Sequence, residues 1–286
     1  MELPIGQVIC DNYNTKIITK NMSIFDSIIL GTIQGLTEFL PISSSGHLII
    51  ARDLFGWHGS SDLSFDAILQ LATGIALVVY FRKDIWRLIK TFFAMISKKT
   101  VEQKDKIMIW AIIIGTIPAV ILGLFLQKYM ETIFRSAILV SFVLIIGSVV
   151  MYLAEKFSKK DRQLSVWKGI GIGFFQCLSL VPGFSRSGAT ISGGLLFGLN
   201  REDAARFSFL LSIPIILGSG IKQLLSVVKS GTFSNDWLNI FSGSITSFIF
   251  GIIAIIFLMK FLKNNSLKVF IWYRVILAVV VLIILL

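Results

Sequence analysis

Cysteine is nearly absent from this chain. The two that occur, Cys10 and Cys177, lie far apart and belong to no CxxC pair, so neither a disulfide framework nor a zinc site is indicated. Charge is scarce too: 15% of the 286 residues are charged, 55% are hydrophobic, and the mean hydropathy is +0.83. Soluble domains carry about a quarter charged residues, so this composition excludes an ordinary soluble fold and points to a membrane protein. Acidic side chains are the scarcer sign, 16 against 27 Lys and Arg, for a net charge of +11. That excess does not mark a nucleic-acid binder, because it is gathered between apolar runs. Arg82, Lys83, Arg87, Lys90, Lys98, Lys99, Lys104 and Lys106 form one basic loop, and Lys156, Lys159, Lys160, Arg162 and Lys168 another. This is the positive-inside pattern, with attraction to anionic headgroups. A small-residue cleavage site is also lacking ahead of the apolar run that starts at residue 24, so no secretory signal is expected, and residues 1–22 carry no readable signal.

Six apolar runs, about 64–81, 107–127, 136–154, 207–228, 237–259 and 269–286, approach the length needed to cross a bilayer. Two more, about 24–51 and 169–199, are broken midway by Pro, Ser and Gly and read as re-entrant helical hairpins. The expected fold is an all-α polytopic membrane protein: six transmembrane helices plus two re-entrant hairpins. The chain is read as a single integral membrane domain over 1–286.

Residues 31–49, GTIQGLTEFLPISSSGHLI, return as 173–191, GFFQCLSLVPGFSRSGATI, at an offset of 142. Over 31–69, 12 of 39 positions are identical to those 142 further on, where roughly three would match by chance. Repeat 1 spans about 23–155 and repeat 2 about 165–286. With both basic loops cytoplasmic, the first hairpin enters from outside and the second from inside. One hairpin plus three spans makes the second half upside down, an inverted repeat whose broken elements meet near the midplane.

Irregular backbone at membrane depth survives only if it is buried in protein or lines a polar cavity. Pro41 and Pro182 each precede a serine cluster, so each hairpin reads as helix, turn, helix, with SSSGH and SRSGAT opening the second helix. The hydroxyls can cap free N–H groups, and Gly46 and Gly188 admit a ligand close to the backbone. Two facing helix N-termini with Ser43, Ser45, Ser185, Ser187 and Arg186 suggest a phosphate site, since N–H donors and a planar guanidinium match phosphate oxygens. Thr190, a turn beyond Arg186, adds a hydroxyl. Ser44, His47 and Glu38 can serve as nucleophile, general base or acid, and an orienting or metal-binding carboxylate. Gln34, one turn before Glu38, faces the same side. Asp66 and Gln70 share a face at the start of a span, His58 lies in a solvated loop, and Tyr273 and Arg274 read as interface anchors.

The segments QGLTEFLPISSSGH (34–47) and PGFSRSGATISGG (182–194) resemble the two signature motifs of the undecaprenyl-diphosphate phosphatase family, known also for bacitracin resistance. The similarity continues through TIPAVILG (116–123) and FSFLLSIPIILGS (207–219), and so covers all but about residues 1–22. Gln34 stands where many members have a glutamate, leaving Glu38 to carry the carboxylate chemistry. The resemblance implies hydrolysis of the terminal phosphate of a C55 isoprenyl diphosphate lipid, with Glu38, Ser44, His47, Ser185, Arg186 and Thr190 as the functional set. It also implies a divalent cation (magnesium or calcium) and a bacterial inner-membrane location with the site opening to the outer face. Partners are then the polyprenyl diphosphate, the membrane and, as a candidate, a second copy of the chain in a homodimer. The rival expectation is a transporter or flippase of a polyprenyl phosphate lipid, because inverted repeats with broken helices are a transporter architecture.

Overall fold

Pro41 and Pro182 fall where the chain turns, whereas two further prolines, Pro118 and Pro214, lie inside long helices. The structure, a computed structural model, describes residues 22–57, 62–132, 136–158, 163–229 and 232–286. His58 and residues 1–21 lie outside the described residues. In chain order the helices are α1 (Ile24–Phe39), α2 (Ser44–Phe55), α3 (Asp62–Tyr80), α4 (Arg82–Ile96), α5 (Gln103–Thr132), α6 (Ala137–Phe157), α7 (Val166–Cys177), α8 (Arg186–Leu196), α9 (Arg201–Lys229), α10 (Thr232–Asn264) and α11 (Lys268–Leu285). Six of them, α3, α5, α6, α9, α10 and α11, are long and apolar enough to cross a membrane, matching the six expected spans. The chain is an all-α multi-pass membrane protein.

The expected hairpins are α1–α2 and α7–α8. Ser23 opens α1 with a reciprocal capping box: its hydroxyl accepts from the Asp26 N–H, and the Asp26 carboxylate accepts from the Ser23 N–H. The helix stops at Phe39 as Leu40 turns extended ahead of Pro41. Ser165 caps α7, which ends in a single 3-10 turn, Leu178–Leu180, before Pro182. The basic segment after α3, expected as a loop, contains a helix. In α4 the apolar positions Ile85, Leu88, Ile89 and Phe92 recur at helical spacing. Part of its charge is paired, since Asp84 accepts from both Arg87 and Arg206.

Each hairpin packs on the other half of the chain: α1 lies along α10 and α7 along α5, while α3 packs on α9 and α6 on α11. Gly31 and Gly173, equivalent in the repeat, sit at the two hairpin crossings. A Cβ on Gly31 would come within 2.2 Å of the Gly243 carbonyl oxygen, and one on Gly173 within 2.1 Å of that of Gly115. Small residues at such crossings let two helix backbones touch, which is how helices hold together where lipid gives no hydrophobic drive. Gly173→Val should therefore lower the thermal unfolding midpoint in detergent, at an overpacking cost of about 1–3 kcal/mol. An unchanged midpoint would show that α7 does not seat on α5. The core also ties the first hairpin to α9: the Phe39 and Phe209 rings meet edge to face, 5.4 Å between centroids.

Candidate active site

Both turns carry the same unusual backbone. Ser43 and Ser185, equivalent in the repeat, have φ of 76° and 77°, a left-handed conformation rare outside glycine. Each is the N-cap of the helix that follows. The Ser43 hydroxyl accepts from the Gly46 N–H at 3.3 Å and that of Ser185 from the Gly188 N–H at 3.1 Å. Capping uses the third N–H of each helix. The first two, on Ser44 and Ser45 and on Arg186 and Ser187, precede the first intrahelical bond and are left to a ligand. Holding serine at positive φ costs about 1–3 kcal/mol, and such strain clusters at functional sites.

The turns meet. Ser187 donates from its hydroxyl across to the Leu40 carbonyl at 3.1 Å, and its Oγ lies 3.2 Å from that of Ser185. Ser43 and Ser45 are 3.5 Å apart, Oγ to Oγ. Glu38, only 8% exposed, is the hub. Its Oε2 accepts from the Ser44 hydroxyl at 2.5 Å and the Gln34 amide at 2.9 Å. Its Oε1 accepts from the Gln70 amide at 3.3 Å and lies 3.8 Å from Arg186 Nη1. A glutamate at position 34 would set a second carboxylate against the first and require a shared proton or cation. Glutamine binds without either. Arg186 Nη1 is buried and makes no hydrogen bond, so part of its fork remains open for phosphate oxygens.

Several placements differ from expectation. A serine nucleophile with a histidine base would bring Ser44 to His47, but the hydroxyl donates to Glu38 instead. Across the tight turn Glu38 is within reach, whereas the imidazole of His47 is directed elsewhere. His47 Nδ1 is 2.7 Å from the Ser43 carbonyl, which can only accept, so Nδ1 carries the proton. Nε2 is then left to pair with the Tyr273 hydroxyl at 2.8 Å. Thr190 braces the second turn from behind, donating to the Arg186 carbonyl and accepting from the Ser208 hydroxyl at 2.5 Å. Of the Asp66 and Gln70 pair, Gln70 reaches the site while Asp66 binds buried Arg52 at 2.8 Å.

Arg274 is not an interface anchor. It is fully buried and donates to both turns. Its Nη1 reaches the carbonyls of Phe184 (2.9 Å) and Pro41 (3.3 Å), and its Nη2 those of Gly183 (3.0 Å) and Leu144 (3.1 Å). Its Nε bonds the Ser148 hydroxyl at 3.1 Å. Gly147 makes the space, since a Cβ there would stand 2.2 Å from Nη2. One signal of this was visible: a charge inside an otherwise apolar span is costly unless it is paired in the interior.

The site thus offers one carboxylate bonded to one hydroxyl, one open guanidinium, and two capped helix N-termini, a set suited to a nucleophilic hydroxyl acting on an anionic phosphorus centre. A family model described as "Bacitracin resistance protein BacA" matches residues 27–280. The chain is 43% identical over 263 residues to an undecaprenyl-diphosphatase of Corynebacterium efficiens, covering 91% of this chain and 89% of that one. It is 42% identical over 271 residues to an undecaprenyl-diphosphatase of Myxococcus xanthus, covering 92% and 90%. A third, from Renibacterium salmoninarum, is 41% identical over 271 residues, covering 92% and 96%.

Proposed function

The chain belongs to the bacitracin resistance protein BacA family, and we propose that its two facing turns remove the terminal phosphate of undecaprenyl diphosphate. The enzyme hydrolyses this lipid to undecaprenyl phosphate and inorganic phosphate, which recycles the carrier for cell-wall polymers and confers bacitracin resistance. The observation that carries the mechanism is the Ser44–Glu38 hydrogen bond beside Arg186.

In this reading the diphosphate lies between the N-termini of α2 and α8, with Arg186 and the free N–H groups on its oxygens. Ser44 Oγ attacks the terminal phosphorus as its proton passes to Glu38. The new Oγ–P bond forms as the bond to the bridging oxygen breaks, and the polyprenyl monophosphate leaves as an anion, which needs little help from an acid. Water then attacks the phosphoserine with His47 taking up a proton, Glu38 returns its proton to Ser44 Oγ, and inorganic phosphate departs. Fixed donors aimed at the phosphoryl oxygens supply most of the rate.

A divalent cation fits this donor set in one way. Among the described residues no cluster of three His, Cys, Asp or Glu could hold a metal ion. Magnesium, however, is held by one or two carboxylates together with water and phosphate oxygens. Glu38 and the carbonyl oxygen of Gln34, whose amide nitrogen is spent on Glu38, would hold magnesium or calcium. The ion would neutralise diphosphate charge. The basic segments on one side of the spans support an inner-membrane enzyme whose site opens to the outer face.

Purified protein in detergent, given undecaprenyl diphosphate labelled with 32P in the terminal phosphate and quenched in acid, should retain label on Ser44. Ser44→Ala should retain none. Full turnover by the wild-type enzyme with no trapped label would remove Ser44 as nucleophile and leave water in that role. Phosphate release without a second compartment separates hydrolysis from transport.

A further inference from the structure

His47 has no free nitrogen. Its Nδ1 proton is on the Ser43 carbonyl, its Nε2 is on the Tyr273 hydroxyl, and the two rings lie parallel within 2°, 5.6 Å between centroids. Tyr273 comes from α11, 226 residues away, and is followed directly by Arg274, whose guanidinium fastens α11 to both turns. The tyrosine is therefore held in place relative to α2.

We propose that Tyr273 is a positioning residue for the reaction: it orients His47 and relays protons between that imidazole and water in the site. The inference rests on the reading that His47 acts in phosphate release. A proton leaving water goes to the tyrosine oxygen as the tyrosine's own proton goes to Nε2, giving an imidazolium and a neutral tyrosine. In the imidazolium the hydrogen bond reverses, with Nε2–H donating to the phenolic oxygen, because a hydroxyl both donates and accepts. In many catalytic histidines a carboxylate does this orienting. A second carboxylate here would face an anionic diphosphate at close range and repel it, as like charges do in a low-dielectric site. A phenol orients the ring without adding charge.

The test is a double-mutant cycle in detergent on undecaprenyl diphosphate: Tyr273→Phe, His47→Gln and the pair. Tyr273→Phe keeps the ring and removes only the hydroxyl. It should lower kcat by roughly tenfold or more while KM stays within about twofold, the pattern of a lost proton-transfer partner rather than lost binding. In the His47→Gln background the same change should lower kcat no further. Fully multiplicative effects would overturn the proposal, since Tyr273 would then act apart from His47. Normal turnover in Tyr273→Phe with a slow His47→Gln would overturn it while sparing His47. Normal turnover in His47→Gln would overturn the reading of His47 itself, and the proposal with it. The chain has two histidines, so replacing His58 by Gln leaves one imidazole signal. The His47 Nε2 nitrogen resonance should move on Tyr273→Phe, and an unmoved resonance would show that the hydrogen bond is absent.

Discussion

Arg186→Ala should release phosphate from undecaprenyl diphosphate roughly a thousandfold more slowly than the parent enzyme while unfolding at nearly the same temperature, since losing one preorganised charge at a phosphoryl-transfer site costs on that order. The two halves of this expectation have separate causes. Activity falls because Glu38 would be left as an uncompensated negative charge beside an anionic substrate. The fork that matches two phosphate oxygens at once would also be gone. Stability holds because Glu38 keeps its hydrogen bonds from Ser44, Gln34 and Gln70, and Arg186 itself contributes little to the fold. Its ion contact is a 3.8 Å pairing with Glu38, Nη1 makes no hydrogen bond, and the helix it opens is capped by Ser185. Arg186→Lys should fall between, restoring charge but not the planar fork. Phosphate release together with thermal unfolding checks both halves. Near-normal turnover in a folded Arg186→Ala protein would sink the assignment of the site.

The second arginine should behave the other way round. Arg274→Met should lose both stability and activity, the former by about 3–5 kcal/mol, because a buried charge network is broken and its partners are stranded. The carbonyls of Pro41, Gly183, Phe184 and Leu144 all accept from this one side chain, and no water reaches a group that is fully buried. Lysine offers three rotatable donors where five fixed ones are used, so Arg274→Lys should rescue only in part. Gly147→Ala is the gentler probe, pressing a methyl group on Nη2 without removing any donor. A lowered midpoint and slowed phosphate release in Gly147→Ala would track the clamp. Arg274→Met with wild-type stability would show that the turns are held by other means.

These two residues mark how far the amino-acid order could be read. The hairpins were legible because Pro41, Pro182 and the serines fall inside otherwise unbroken apolar runs, and the spans because lipid forbids long polar stretches. Arg186 declared itself as a charge within a hairpin. Arg274 is the same kind of signal, yet its six-residue distance from the start of α11 resembles an interfacial anchor, and its acceptors are backbone carbonyls that no side-chain pattern encodes. The Ser44–Glu38 bond depended on the positive φ at Ser43, a conformation serine does not announce. The helix in the segment after α3 was missed because its basic residues outweighed the apolar spacing between them.

The Arg274 contacts also bear on how the molecule can move. A rocking transporter needs a seam along which its halves part. Here a single guanidinium spans the Pro41 carbonyl of the first hairpin, the Gly183 and Phe184 carbonyls of the second, and α6. Opening that seam would strand a cation and at least three carbonyls in a dry interior, each at a cost of several kcal/mol. The two hairpins therefore behave as one rigid jaw. Parting the two turns would break these contacts together, so the geometry suits chemistry between two fixed hairpins better than a transport stroke that pulls them apart.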